Sequence, residues 1–297
     1  MENKNSSLKS WIQASRPRTL PLALSSIFLG SFIAGSQGLF SMKVSFLCVL
    51  TTIFLQILSN LANDYGDSIS GVDGKNRKGP SRAVQTGEIS SEAMKKAIIL
   101  FSLLSAISGL ALIYGEDLRI FIPLGLASIV CAITYTVGKK PYGYIGLGDL
   151  SVFTFFGLVG VIGSNYLQTH NFDWKIILPA MALGFFSTAV LNINNIRDIE
   201  SDELSGKKSL PVRLGIEKAK KYHYFLLFGG ILTPFLYVIF NYKSPFQFLF
   251  LFSIPLIIKN GLGIKNGNKP EEIDPFLKQM AISTLIFVLT FGIGNLI

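Results

Sequence analysis

The stretch VSFLCVLTTIFLQILSNLANDYGD, Val44–Asp67, decides how this chain folds. From Val44 to Ala62 it carries no charged side chain. A bilayer core of about 30 Å needs roughly 20 mostly apolar helical residues, which is the length of this run. Further runs of the same kind lie near 20–36, 93–114, 118–137, 148–167, 174–195, 222–240, 245–262 and 279–296. A soluble helical protein needs a polar face on each helix, and most of these runs lack one. Only 15% of the chain is charged, against about 25% in an average soluble domain. The expectation is all-α: one integral-membrane domain over residues 1–297, a bundle of about nine transmembrane helices.

The net charge of +9 raises nucleic acid as a partner, but its placement points elsewhere. With nine spans and the N-terminus inside, every Lys and Arg falls on the inner side except Lys43, Arg119, Lys175 and Lys243. That is the positive-inside bias of a membrane protein. No nucleic acid is implied, and function belongs on the inner face, where the long polar loops are. The charged N-terminus resembles the front of a signal peptide. No secreted domain follows it, so 20–36 reads as a retained span. Cys48 and Cys131 lie within spans at unrelated spacing and suggest neither a disulfide framework nor a zinc site.

After Ala62 the chain turns acidic. Asn63 and Asp67 are four residues apart, and the sequence LNINNIRDIESD repeats that spacing at Asn194, Asp198 and Asp202. Positions i and i+4 share one helical face, so each stretch makes an oxygen-rich ridge at a helix end. Four spans separate the two, which returns both to the same side. A lone Asp at a membrane boundary is ordinarily a cap or a solvated group. Two matched ridges need more, because an ionised Asp within a span costs on the order of 2.5–3.5 kcal/mol. All-oxygen ligands suit hard cations, and Mg²⁺ typically takes one or two carboxylates plus substrate phosphates. Cations stand beside both ridges: Lys75, Arg77, Lys78 and Arg82 at the first, Arg197, Lys207, Lys208 and Arg213 at the second. A third inner loop, YTVGKKPYGYIGLGD, sets Tyr135 four residues before Lys139. Phosphate oxygens accept charge-assisted bonds from such groups, although inner loops are basic in any membrane protein.

These residues carry a resemblance. RPRTL at Arg16–Leu20, NDYGD at Asn63, YTVGKKPYGYIGLGD at Tyr135, AVLNINNIRDIESD at Ala189 and LPVRLG at Leu210 resemble the UbiA superfamily of intramembrane aromatic prenyltransferases. The likeness runs almost end to end and is closest to members that act on 1,4-dihydroxy-2-naphthoate in menaquinone synthesis. It implies polyprenyl diphosphate and that naphthoate as substrates, Mg²⁺ as cofactor, and the bacterial cytoplasmic membrane as location, with the N-terminus inside and the C-terminus outside. Asn63, Asp64, Asp67, Asp198 and Asp202 are the implied metal ligands. Tyr135, Lys139, Arg82, Arg77 and Arg197 are the implied diphosphate contacts, with Asp67, Asp198 and Lys139 central to catalysis. One position departs from the family pattern: Gly71 stands where a further Asp is common, leaving Asp64 and Asp73 as alternatives. Phe153, Phe155 and Phe156 offer π faces to an allylic cation. The rivals are a hydroxybenzoate-type acceptor and, from another class, a cation-coupled transporter. Transporter sites favour broken helices near the midplane; here the acids lie at inner helix ends.

Overall fold

The computed structural model describes residues 7–70 and 82–297. Every regular element among them is helical. Short α1 (Leu8–Ser15) and a 3-10 turn at Pro17–Thr19 lead into α2 (Leu20–Ser36). Then come α3 (Met42–Ile69), α4 (Ser91–Leu112) and α5 (Leu118–Thr134). The next span is composite: α6 (Gly148–Val152), a π-helical stretch Phe153–Ile162, and α7 (Gly163–Thr169). It is followed by α8 (Ile177–Arg197), the short helices α9 (Ile199–Leu204) and α10 (Leu210–Leu214), and the long α11 (Ile216–Phe240). A 3-10 stretch, Pro245–Ser253, enters α12 (Ile254–Asn266), and α13 (Pro270–Leu296) closes the described chain.

Eight of these rods are long and apolar enough to cross a membrane. The 17 residues of α5 make a shorter ninth, at the lower limit of what spans a bilayer. The chain is a multi-pass membrane protein, and its nine runs lie where the sequence places them. Starts are set by short polar caps: Ser41, Ser90 and Asp117 side chains accept the N–H groups of Val44, Ala93 and Arg119, satisfying first-turn donors that lipid cannot. Several limits differ from the expectation. α3 continues past Ala62, where the apolar run ends, to Ile69, and carries the first acid ridge in its last turns. α13 begins at Pro270 instead of near 279, with Pro at its first position and Glu272 bonding back to the Asn268 and Lys269 N–H groups. Polar residues end an apolar run without ending a helix.

Two hydrophobic cores flank the acid ridges, and a third, smaller cluster of Ile27, Cys48, Ile113 and Leu167 ties α2, α3, the end of α4 and α7 together. The larger draws on α2, the π-helical stretch, α8, α11, α12 and α13, around fully buried Phe186, Phe250, Phe287 and Phe291. At its centre Gly157 backs onto Gly184: a Cβ on Gly157 would lie 2.6 Å from the Gly184 Cα, so only glycine permits this crossing. The smaller core joins α1, α3 and α4 through Leu58, Leu61, Met94 and Ile98, with Ile129 and Ile133 of α5 against it. Outward, α4 and α5 expose Ile99, Leu103, Ile107, Ile120, Leu126 and Val130, as helices solvated by lipid do. α3 belongs to one core and α8 to the other, and the two are not a packed helix pair. The acid ridges therefore face each other across a seam.

Candidate active site

The last two turns of α3 carry the first ridge. Asp64 uses both oxygens to hold the returning chain, accepting the Ala83 and Val84 N–H groups at 3.0 Å each. That bonding makes Asp64 an anchor for the loop's far end, a role its sequence position beside Asn63 did not reveal. Asp67, buried, pairs with the equally buried Arg82 and accepts the Tyr144 hydroxyl at 2.6 Å. Asn63 Oδ1 accepts from the Thr136 hydroxyl at 3.1 Å. Gly66 makes that approach possible, because a Cβ there would sit 2.5 Å from the Thr136 carbonyl oxygen. Asp73, Lys75, Arg77 and Lys78 lie outside the described residues.

The second ridge is bent. α8 ends at Arg197, Asp198 caps it, and Asp202 belongs to α9. The i to i−4 bonds nevertheless continue, Asp198 N–H to Asn194 at 3.1 Å and Asp202 N–H to Asp198 at 2.8 Å, so the spacing survives the break. Arg197 is almost fully buried and forks onto Asp198 at 2.8 and 2.7 Å. Its remaining bonds reach Asn194 Oδ1 at 2.8 Å and Asp274 at 2.6 Å. The expected diphosphate contact is thus engaged with carboxylates, where it fixes the orientation of Asp198.

One loop joins the ridges. Tyr144 donates to Asp67 while its backbone carbonyl accepts the Lys208 N–H at 2.9 Å. Arg213 reinforces the join, bonding the Ile145 carbonyl at 2.6 Å and the Lys208 carbonyl at 3.1 Å. Tyr135 is packed against Gly143 and Gly148 and lies within electrostatic reach of Asp149, Asp67 and Asp202. Lys139, four residues later, does not share its face: α5 has ended, Gly138 takes a positive φ, and the Lys139 side chain is exposed. Among the described residues, Lys207 is a cation within reach of both ridges. It pairs with Asp202 at 3.0 Å and feels Asp67 and Asp198 as well. Burial alone would lower its pKa, but the three carboxylates outweigh that and hold it above the ordinary lysine value. Burial raises the Asp202 carboxyl, with Lys207 opposing the shift. Phe153, Phe155 and Phe156 are half-buried on the π-helical stretch, Phe153 edge-on to Phe185 with centroids 5.0 Å apart.

Spacing alone did not single out Tyr144, Lys207 or Asp149. The motif that contains Tyr144 and Asp149 was legible, but not the fold-back that aims them at the ridges. Among the described residues no three His, Cys, Asp or Glu side chains form a closed metal cage. The donors are oxygens presented in pairs from opposite sides, each pair carrying its own cation. That suits Mg²⁺, which takes few carboxylates and completes its shell with substrate phosphate and water.

The description "UbiA prenyltransferase family" matches residues 23–292. A 1,4-dihydroxy-2-naphthoate octaprenyltransferase of Haemophilus influenzae is 48% identical over 99% of this chain and 97% of its own length. The Escherichia coli protein of the same name is 45% identical, again over 99% and 97%. In three dimensions the chain superposes on a UbiA homolog from Archaeoglobus fulgidus solved with GPP and Mg²⁺, at a TM-score of 0.65 and 18% identity, covering 97% of this chain and 99% of that one.

Proposed function

Because the chain belongs to the UbiA prenyltransferase family, we propose that it transfers a polyprenyl group from polyprenyl diphosphate to 1,4-dihydroxy-2-naphthoate, releasing diphosphate and carbon dioxide on the way to menaquinone. The observation that carries the diphosphate half is the pair of acid ridges joined by Tyr144 with Lys207 within reach of both. The acceptor half is supported by the two full-length relatives named for that reaction. The whole chain acts as one domain in the bacterial cytoplasmic membrane, N-terminus inside and C-terminus outside.

Asn63, Asp67, Asp198 and Asp202 hold Mg²⁺ in this reading. Bound there, the ion supplies charge neutralisation for the leaving diphosphate. Arg82 and Lys207 stand beside the acids and turn to the diphosphate oxygens, with Tyr135 donating a hydrogen bond and Lys139 and Arg77 adding charge from the rim. Arg197 acts through Asp198, as a positioning residue. Stabilising the leaving group favours ionisation of the allylic C–O bond. The helix bundle keeps water from the resulting cation, and Phe153, Phe155 and Phe156, on the π-helical stretch that follows Asp149, offer π faces to it. The electron-rich ring attacks the cation at the carbon bearing the carboxylate. That carbon becomes sp³ beside a ketone, carbon dioxide leaves, and the bonding pair restores the ring.

Acceptor labelled in its carboxylate tests the reading. One labelled carbon dioxide should be released per prenyl group transferred, with no prenylated acid accumulating. Label retained in the product would replace this acceptor by a hydroxybenzoate type, and metal-coupled ion flux without product would make the chain a transporter.

The cations should separate in effect. Lys207→Met removes a largely buried charge set among three carboxylates, and should lower kcat/KM for the prenyl diphosphate by on the order of 10²-fold. Lys139→Met removes an exposed charge beside Lys140 and should cost no more than about tenfold. Steady-state kinetics on both decides the ranking, and the reverse order would return Lys139 to the centre of the site.

A further inference from the structure

A further carboxylate, Asp149, lies beside the ridges and has no part in the steps above. Asp149 begins the composite span and is 7% exposed. Tyr222 of α11 hydrogen-bonds its carboxyl, and the Thr188 hydroxyl of α8 lies 3.5 Å from its backbone carbonyl. Its Oδ1 is buried with no hydrogen-bond partner among the described residues. A buried carboxylate oxygen left unmatched is expensive, on the order of 1–3 kcal/mol or more for a charged group. Such an atom points to a donor that arrives with a ligand.

The position says which ligand. Tyr135 is common to Asp149, Asp67 and Asp202: its ring lies against Gly148, next to Asp149, and it is within electrostatic reach of all three carboxylates. In the reading above, Asp67 and Asp202, each paired with a cation, Arg82 and Lys207, serve the diphosphate. Among the described residues Asp149 has no cation in contact, and the Tyr135 and Tyr222 hydroxyls are near it. The unmatched oxygen there accepts, so an O–H group of the ligand would be held by it. We propose that Asp149 accepts the proton of the acceptor's ring hydroxyl, with Tyr222 fixing its orientation, so that the ring attacks as the more nucleophilic phenolate. This rests on the prenyl-transfer reading above. The hydroxyl proton passes to the Asp149 carboxylate as the ring carbon bonds to the allylic carbon and the hydroxyl carbon becomes a ketone. After carbon dioxide leaves, the enolate takes the proton back, and Asp149 returns to its starting charge.

Asp149→Asn keeps the shape and the Tyr222 contact and removes the base. At neutral pH its kcat/KM for the naphthoate should fall by on the order of 10²–10⁴-fold. The deficit should shrink about tenfold per pH unit as solvent ionises the hydroxyl instead, while KM for the prenyl diphosphate stays within about twofold. Tyr222→Phe should move the acid limb of the wild-type pH profile with little loss at its plateau. Full activity in Asp149→Asn, or a loss that ignores pH, overturns the proposal. If the wild-type protein prenylates a different phenol, the function reading fails on that result alone, and the same pH comparison with that phenol still judges Asp149.

Discussion

Asp67→Asn and Asp198→Asn will each lower prenyl transfer by on the order of 10²-fold or more, the usual cost of removing a group that stabilises charge at the reacting centre. Asn preserves volume and one acceptor oxygen, so the Tyr144 hydrogen bond to position 67 persists and the loss reflects charge. The two variants should differ in stability. Asp67 is the carboxylate of a buried pair with Arg82, and breaking such a pair costs about 3–5 kcal/mol. Arg197 keeps Asp274 and Asn194 after Asp198 is neutralised, so that variant should melt closer to wild type. Wild-type activity should vanish in EDTA and return with Mg²⁺, and both variants should need more Mg²⁺ for half-maximal rate. Near-normal turnover in either one would remove that carboxylate from the site.

A single methyl group should do almost as much harm. Gly66→Ala places a Cβ 2.5 Å from the Thr136 carbonyl oxygen and 2.7 Å from its carbonyl carbon and hydroxyl. Two of those atoms are backbone, so no rotamer change relieves the clash and the loop must retreat from α3. Thr136 then releases Asn63, and Tyr135 moves with it. Displacement near 1 Å at a reacting centre can cost on the order of 10²-fold in rate, and overpacking of this kind typically costs 1–3 kcal/mol. The control is Gly163→Ala, on a helix with nothing within 4 Å of the new Cβ, which should leave rate and melting temperature unchanged. Equal behaviour of the two variants would mean that the Thr136 contact does not position the site.

How much of this was legible in the sequence depends on which physics set each feature. The spans were, because bilayer thickness imposes their length on any chain. The pairing of Asn63 with Asp67, and of Asp198 with Asp202, was legible from the helical period and survived even the break at Asp198. The roles of neighbouring groups were not. Asp64 looked as available as Asp67, yet its oxygens meet backbone N–H groups nineteen and twenty residues later. Arg197 looked available to phosphate, but Asp198, Asn194 and Asp274 surround it. Tyr135 and Lys139 share a spacing but no helix. In each case the deciding partner arrives by a tertiary return of the chain, which no local period encodes. The π-helical stretch at Phe153–Ile162 left no signal, since its composition suits an ordinary apolar helix equally well.

The seam between the two cores bears on how the molecule holds together. The first acid pair hangs from the smaller core and the second from the larger, with α3 and α8 not packed on each other. A substrate gripped from both sides is therefore a keystone as well as a cargo. Whatever free energy it releases on binding is added to the cohesion of the two halves. With the site empty, the cluster of Ile27, Cys48, Ile113 and Leu167, the Tyr144 loop and the neighbouring helices still tie the two sides together. Product departure withdraws that added cohesion, so the bundle gives up the contribution of its ligand at the moment it must let a long lipid go.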